Sequence, residues 1–202
     1  MEQTAKKRGK TYEMDMCNGP LFPKIIAFAV PLILSGILQL LFNAADIIVV
    51  GHFAGRESLA AVGSTTALIN LMINIFIGLS VGVNVIVARY YGAKREKDVQ
   101  DTIHTAMALS IVSGLFLIIV GQLLSRPMLE LMGTPDDVID KSTIYMRIIF
   151  IGMPANMIYN FGSAILRAVG DTKRPLYFLT AAGVINVVLN LFFVIMFQMD
   201  VA

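Results

Sequence analysis

Tryptophan is absent from this chain, cysteine occurs only at Cys17, histidine only at His52 and His104, and charged residues make up just 15% of the 202. Each scarcity excludes something. A single cysteine permits no internal disulfide, and two isolated histidines offer no structural metal spacing. Soluble domains carry roughly 25% charged residues, so a chain with 15% charged and 56% hydrophobic residues is not built for water. No Gly-rich phosphate loop, no cluster of histidines with carboxylates and no Gly-x-Ser-x-Gly elbow is present, so nothing here handles ATP or activates a nucleophile. The strict alternation of apolar and polar residues that marks a membrane β-barrel is missing too.

What the chain does have is length without charge. Uncharged runs cover residues 25–45, 58–88, 102–125, 148–166 and 175–199, and each meets or nearly meets the roughly 20 residues that carry a helix across about 30 Å of hydrocarbon. The mean hydropathy of +0.74 agrees. The expected fold is therefore all-α and integral to the membrane, with about five transmembrane helices over residues 22–50, 58–90, 102–125, 142–168 and 175–199. Residues 1–20 read as a flexible basic tail and residues 21–202 as one helical lobe, with Gly19, Pro20 and Pro23 marking entry into the membrane. The first apolar run is too long for a signal peptide and lacks a small-x-small exit, so it is expected to stay in the mature protein.

Charge is distributed by side. Lys6, Lys7, Arg8, Lys10 and Lys24 precede the first span, Arg89, Lys94, Arg95 and Lys97 follow the second, and Arg167, Lys173 and Arg174 follow the fourth; these are twelve of the sixteen basic residues. All fall on one side if the helices alternate, which the positive-inside rule makes the cytoplasmic side of an inner (plasma) membrane, N-terminus included. Glu57, Glu130, Asp136, Asp137 and Asp140 gather at the other turns. Basic clusters flanking apolar spans speak for a bilayer and not for nucleic acid.

Several residues inside the spans are candidates for function. Pro31 in the first span and Pro154 in the fourth each remove a backbone hydrogen bond, and so mark either packing kinks or hinges for alternating access. The turns Arg89-Tyr-Tyr-Gly92-Ala-Lys94 and Arg167-Ala-Val-Gly170-Asp171-Thr-Lys173-Arg-Pro175 share an arginine in the last helical turn, with a glycine three residues on that can take a left-handed cap. Either duplicated hairpins or capping combined with the positive-inside rule would produce that echo. Asp46 sits in continuous apolar helix, where a carboxylate costs roughly 2.5–3.5 kcal/mol near the centre and ordinarily faces a cavity or a partner. It lies about 21 residues after Ile25, roughly 32 Å along the helix, a place where it could also reach interfacial water. Asn186 and Asn190 stand one turn apart on the fifth span, as do Asn156 and Asn160 on the fourth; Gln39 and Asn43 precede Asp46 on the first. Such amides either glue helices together, at about 0.6 kcal/mol each, or converge on the carboxylate to line a small cation site or hydrated cavity.

Phe28-Ala-Val-Pro31-Leu, Asn43-Ala-Ala-Asp46 with Val50-Gly51, Ala88-Arg-Tyr-Tyr-Gly92 and above all Leu166-Arg-Ala-Val-Gly170-Asp171-Thr-Lys173-Arg-Pro175 give the chain a familiar outline. From about Leu21 to its end it resembles the N-terminal lobe of the multidrug and toxic compound extrusion (MATE) family. The resemblance implies twelve helices in two six-helix lobes, so that this chain corresponds to a lobe lacking its sixth helix and its C-terminal partner lobe, as a fragment or an incomplete product. It also implies a non-enzymatic antiporter without cofactor, which expels small amphipathic or cationic molecules in exchange for H⁺ or Na⁺, with the ion held transiently at Asp46. In prokaryotic members with a well-described cation site an Asn and an Asp one turn apart on the fifth helix assist. Asn186 matches the first, whereas Asn190 replaces the second carboxylate and removes one negative charge. A flippase-like transporter of lipid-linked sugars, a non-transporting membrane fragment and a membrane-embedded enzyme are the alternatives. The turn after the fourth span separates the first of these from drug extrusion, and the lack of clustered nucleophiles or metal ligands opposes the enzyme.

Overall fold

The computed structural model of the chain describes Met14 and residues 19–53 and 55–196. The expected tail over residues 1–20 and the end of the fifth span therefore fall largely outside the described residues. Within them the chain is helical: α1 (Leu21–Phe53), α2 (Gly55–Gly92), α3 (Glu96–Leu131), α4 (Asp136–Ile151), α5 (Met153–Ala168) and α6 (Lys173–Met196). Four of these are each long and apolar enough to cross a membrane, and α4 with α5 passes the same test as one span bent by 47°. Five spans result, as the uncharged runs required.

Several helices outrun their apolar segments because polar residues extend them beyond the hydrocarbon. The 36 residues of α3 rise about 54 Å, well over the bilayer core. Its first turn holds Glu96 and Asp98 against the positive helix end, and Arg95 Nε donates to Asp98 Oδ2 at 2.7 Å. At the far end Arg126 bridges Glu130 and Asp140, both at 3.0 Å, tying α3 to the start of α4.

The core lies among α2, α3, α4 and α5, where Val87, Leu117, Leu129, Met146, Phe150, Met157 and Phe161 are fully buried. Three methionines, Met146, Met153 and Met157, thus serve packing. Small residues let the bent span approach α3: Gly114 lies against Pro154, and Gly121 lies under the Phe150 ring. Without a hydrophobic driving force between helices in lipid, such close backbone approach supplies the attraction. Some hydroxyls buried in this core bond to their own helices, as Ser110 does to Met107 O (2.7 Å) and Thr143 to Ile139 O (2.7 Å), while Ser142 of α4 shares a hydrogen bond with Ser64 of α2 at 3.1 Å.

The fourth span bends by 47° at Gly152, in the turn that precedes Pro154, where a proline's missing N–H and ring interrupt a helix, and Pro154 itself sits in the first turn of α5. Pro31 is different: it is buried in the interior of α1, which continues through it, and Ser35 Oγ donates to its carbonyl at 2.8 Å.

The two echoing turns also differ in detail. After α5, Gly170 (φ 86°) takes the left-handed position, with Asp171 N bonded to Leu166 O at 2.9 Å and Gly170 N to Arg167 O at 3.0 Å, a Schellman closure. After α2 the same closure forms two residues later relative to its arginine: Arg95 N bonds to Tyr90 O, Lys94 N to Tyr91 O, and Lys94 (φ 56°) takes the left-handed position expected of Gly92. Gly92 instead ends the helix, because α2 runs on further past its arginine than the pattern implied. Arg89 and Arg167 both lie in the last turn of their helices, as expected.

Outside the core, α1 runs parallel to α6 and packs chiefly on it, less on α2, while α6 touches α5 only lightly. Their outer faces expose Ile33, Leu40, Ile48, Val184, Ile185 and Val188, which suits lipid as solvent.

Candidate functional site

The α1–α6 seam is built as a ladder. At one rung the Phe42 ring rests on Gly183, where any side chain would collide with it. One turn further along both helices, Asp46 meets the amides of α6: Asn190 Nδ2 donates to Asp46 Oδ1 at 2.9 Å. Asn186, one turn before Asn190, has its amide nitrogen toward the same carboxylate, since an oxygen there would face only acceptors; it donates to Oδ1 at 3.0 Å and Oδ2 at 3.3 Å. The spacing explains the convergence. Phe42 and Asp46 are four residues apart on α1, while Gly183, Asn186 and Asn190 follow at intervals of three and four on α6, so each set shares one helix face.

Hydrogen bonds to a charged group contribute about 1.5–3 kcal/mol each, so two of them offset an insertion cost of about 2.5–3.5 kcal/mol. Asp46 is half-buried, and no lysine or arginine pairs with it among the described residues. With Asn190 in place of a second carboxylate, the seam carries one negative charge. A hard monovalent cation would find oxygen ligands here in the Asp46 carboxylate and, after rotation of the amides, in Asn186 Oδ1 and Asn190 Oδ1.

Other candidates do not join this cluster. Asn160 Nδ2 is spent on Asn156, bonding its Oδ1 at 2.7 Å and its backbone oxygen at 2.9 Å. Gln39 and Asn43 lie on α1 and make no bond to Asp46. Asn74 turns back to Asn70 O at 2.7 Å, while Asn84 joins helices by donating to Ala164 O at 2.7 Å. One residue that the sequence did not single out is Tyr145 on α4, half-buried and within electrostatic range of Asp46. Nothing in its local sequence marks it, because the fold of the bent span against α2 and α3 decides which way α4 presents it.

At the opposite, basic end, Asp171 is fully buried and its Oδ1 accepts from the backbone amides of Lys173 and Arg174, both at 3.1 Å, capping the start of α6. Its Oδ2 lies 3.1 Å from Arg174 Nε, close enough for charge attraction though not aligned as a hydrogen bond. Pro175, fully buried, accepts at its carbonyl from Tyr159 Oη at 3.3 Å. These residues hold the turn rigid and are remote from Asp46.

Five membrane spans, a proline within the first and an amide-held carboxylate inside the apolar segment define a polytopic membrane protein with an ionisable group among its helices. The MatE family profile matches residues 31–192, and the chain belongs to the MatE family. It is 36% identical over 162 residues to the probable multidrug resistance protein YoeA of Bacillus subtilis, a match that covers 80% of this chain and 35% of that protein. It is 26% identical over 176 residues to the FAD transporter of Shewanella oneidensis, with 87% of this chain and 38% of that one covered. Among solved structures, a MATE protein in the bent conformation superposes with a TM-score of 0.84 at 27% identity, over 91% of this chain and 41% of the other. The chain thus spans well under half the length of these proteins.

Proposed function

We propose that these five spans form part of the N-terminal lobe of a two-lobe secondary antiporter that expels small amphipathic or cationic molecules in exchange for H⁺ or Na⁺ bound at Asp46. The observation that carries this reading is the state of the carboxylate. A carboxylate neutralised by a fixed arginine or lysine has no charge left to trade, whereas one held by two neutral amides takes up and releases a single monovalent cation. Amides suit the task because rotation by half a turn exchanges N–H donors, which match the bare carboxylate, for oxygens, which match a bound ion. Binding at Asp46 changes what the α1–α6 seam attracts, and a two-state lobe responds to a ligand in proportion to its differential affinity for the states. Alternating access of this kind needs a second repeat or bundle against which the first can rock, so the C-terminal lobe is a required partner.

The description of YoeA as a probable multidrug resistance protein supports drug molecules as cargo. The FAD transporter supports a second cargo class, the anionic flavin dinucleotides. Both are tested in proteoliposomes of the two-lobed protein under imposed H⁺ or Na⁺ gradients, with a cationic dye and FAD as alternative cargo. Efflux driven by one of the two gradients is expected, and the gradient that drives it identifies the ion. Cargo movement that ignores both gradients would sink the antiport reading.

The N-terminus and the two basic turns face the cytoplasm in this proposal, across an inner (plasma) membrane, supported by the twelve-to-four division of basic residues. With Cys17 replaced by Ser, a cysteine at position 94 is expected to resist a membrane-impermeant thiol reagent in intact cells, and one at position 136 to react. The opposite pattern reverses the orientation.

A further inference from the structure

Arg147 is the only charged residue between Lys141 and Arg167. It stands in α4, and the uncharged run 148–166 that follows it extends roughly 28 Å at about 1.5 Å per residue. That length is close to the hydrocarbon thickness of about 30 Å, so Arg147 and Arg167 bracket the bilayer core at the acidic and basic ends of the bundle. The neighbouring span places the same boundary independently. Gln122 Nε2 on α3 donates to Arg147 O at 3.0 Å, and Arg126, one turn further out, is the first charged residue beyond the uncharged run of α3. On a helix the Cα–Cβ bonds tilt toward the N-terminus, here the acidic end, so the Arg147 stem carries its guanidinium toward the headgroups.

The surroundings of this cation are apolar. Arg147 is exposed, and so are Ile144 (49%), Ile148 (45%) and Ile151 (60%), which share its side of α4. No carboxylate pairs with Arg147 among the described residues; Asp140, on the same face two turns nearer the acidic end, is held by Arg126 at 3.0 Å. A guanidinium at the hydrocarbon boundary needs a counter-charge, and a phosphate matches its planar fork. We propose that Arg147 binds the phosphate of an anionic phospholipid in the leaflet at the acidic end of the bundle, with the acyl chain of that lipid lying along Ile148 and Ile151. The isoleucines favour a lipid over free phosphate, since they offer nothing to a small anion. The uncompensated charge favours an anionic headgroup over a zwitterionic one, whose own ammonium already neutralises its phosphate.

The chain has no tryptophan, so Ile151→Trp places a sole reporter one turn beyond Arg147 on the hydrocarbon side. The full chain is reconstituted in mixed bilayers of phosphatidylcholine and phosphatidylglycerol, with one lipid or the other carrying brominated acyl chains, and quenching of the tryptophan measures which lipid touches it. A preference of about fivefold for phosphatidylglycerol is expected. Ile33→Trp, on the outer face of α1 and equally exposed (60%), is expected to show none. Adding Arg147→Gln to Ile151→Trp is expected to remove the preference, and adding Arg147→Lys to keep most of it. Inorganic phosphate, compared with sodium chloride of the same ionic strength, is expected to leave it in place. Equal quenching by the two lipids beside Arg147, a preference that survives Arg147→Gln, or its loss to inorganic phosphate would overturn the lipid site.

Discussion

Asp46→Asn is expected to reduce ion-driven efflux by the two-lobed protein to background while leaving its amount in the membrane unchanged. The substitution keeps the shape of the side chain and its contacts with α6, since the amide oxygen it introduces still accepts from Asn190 Nδ2, which lies 2.9 Å from Asp46 Oδ1. It removes the one charge of the seam and with it the insertion cost of about 2.5–3.5 kcal/mol, so folding has no reason to suffer. Asn186 and Asn190 orient and do not ionise, and their joint replacement by Ala is expected to weaken coupling less than Asp46→Asn does. The check is transport in vesicles under imposed H⁺ and Na⁺ gradients, beside expression measured on the same preparations. Should Asp46→Asn move cargo as well as the parent under both gradients, Asp46 is an interfacial residue and coupling resides elsewhere.

Gly183→Val is expected to be the most damaging single change to the site that touches none of its polar atoms. The Phe42 ring occupies the space a side chain would need at Gly183. Phe42 stands one turn from Asp46, and Gly183 stands three residues from Asn186, so forcing the ring away separates the helices at the rung where the carboxylate meets its amides. Overpacking of this kind costs typically about 1–3 kcal/mol, and a shift of the order of 1 Å stretches the 2.9 Å bond beyond useful length. Both a lowered thermal midpoint and efflux reduced at least tenfold are expected. Compensation by Phe42→Ala in the double variant distinguishes loss of the seam from general misfolding: the midpoint is expected to recover in part. Wild-type stability and transport in the single variant would mean that α1 and α6 do not meet this closely in the membrane.

How much was legible beforehand depends on the range of the interaction concerned. The number of spans follows from hydrocarbon thickness and a residue count, and charge asymmetry at the turns is likewise local, so both stand in the sequence. So does the Schellman closure at Gly170, where glycine accepts a left-handed backbone at no steric cost. At the other basic turn the same rule pointed to Gly92, yet Lys94 takes that conformation because α2 continues further than its capping residues ask before the chain turns back into α3. The bend in the fourth span is local as well: it forms at Gly152, in the turn just before Pro154, where the missing N–H and the ring interrupt a helix, and the glycines of α3 receive the two halves.

The candidate site divides along the same line. That Asp46 is an ionisable group within an apolar helix, that amides recur at one-turn spacing on other helices and that no catalytic motif is present are properties of residue type and position, determined by the sequence alone. Which amides reach the carboxylate was decided by tertiary structure: Asn186 and Asn190 do, whereas Asn156 and Asn160 bond to each other and Gln39 and Asn43 stay apart. The physical reason is that a helix periodicity fixes only which side chains share a face. Which neighbour that face meets depends on close approach between helices, here on Gly183 receiving Phe42, and such complementarity between residues so far apart in the chain has no local signature.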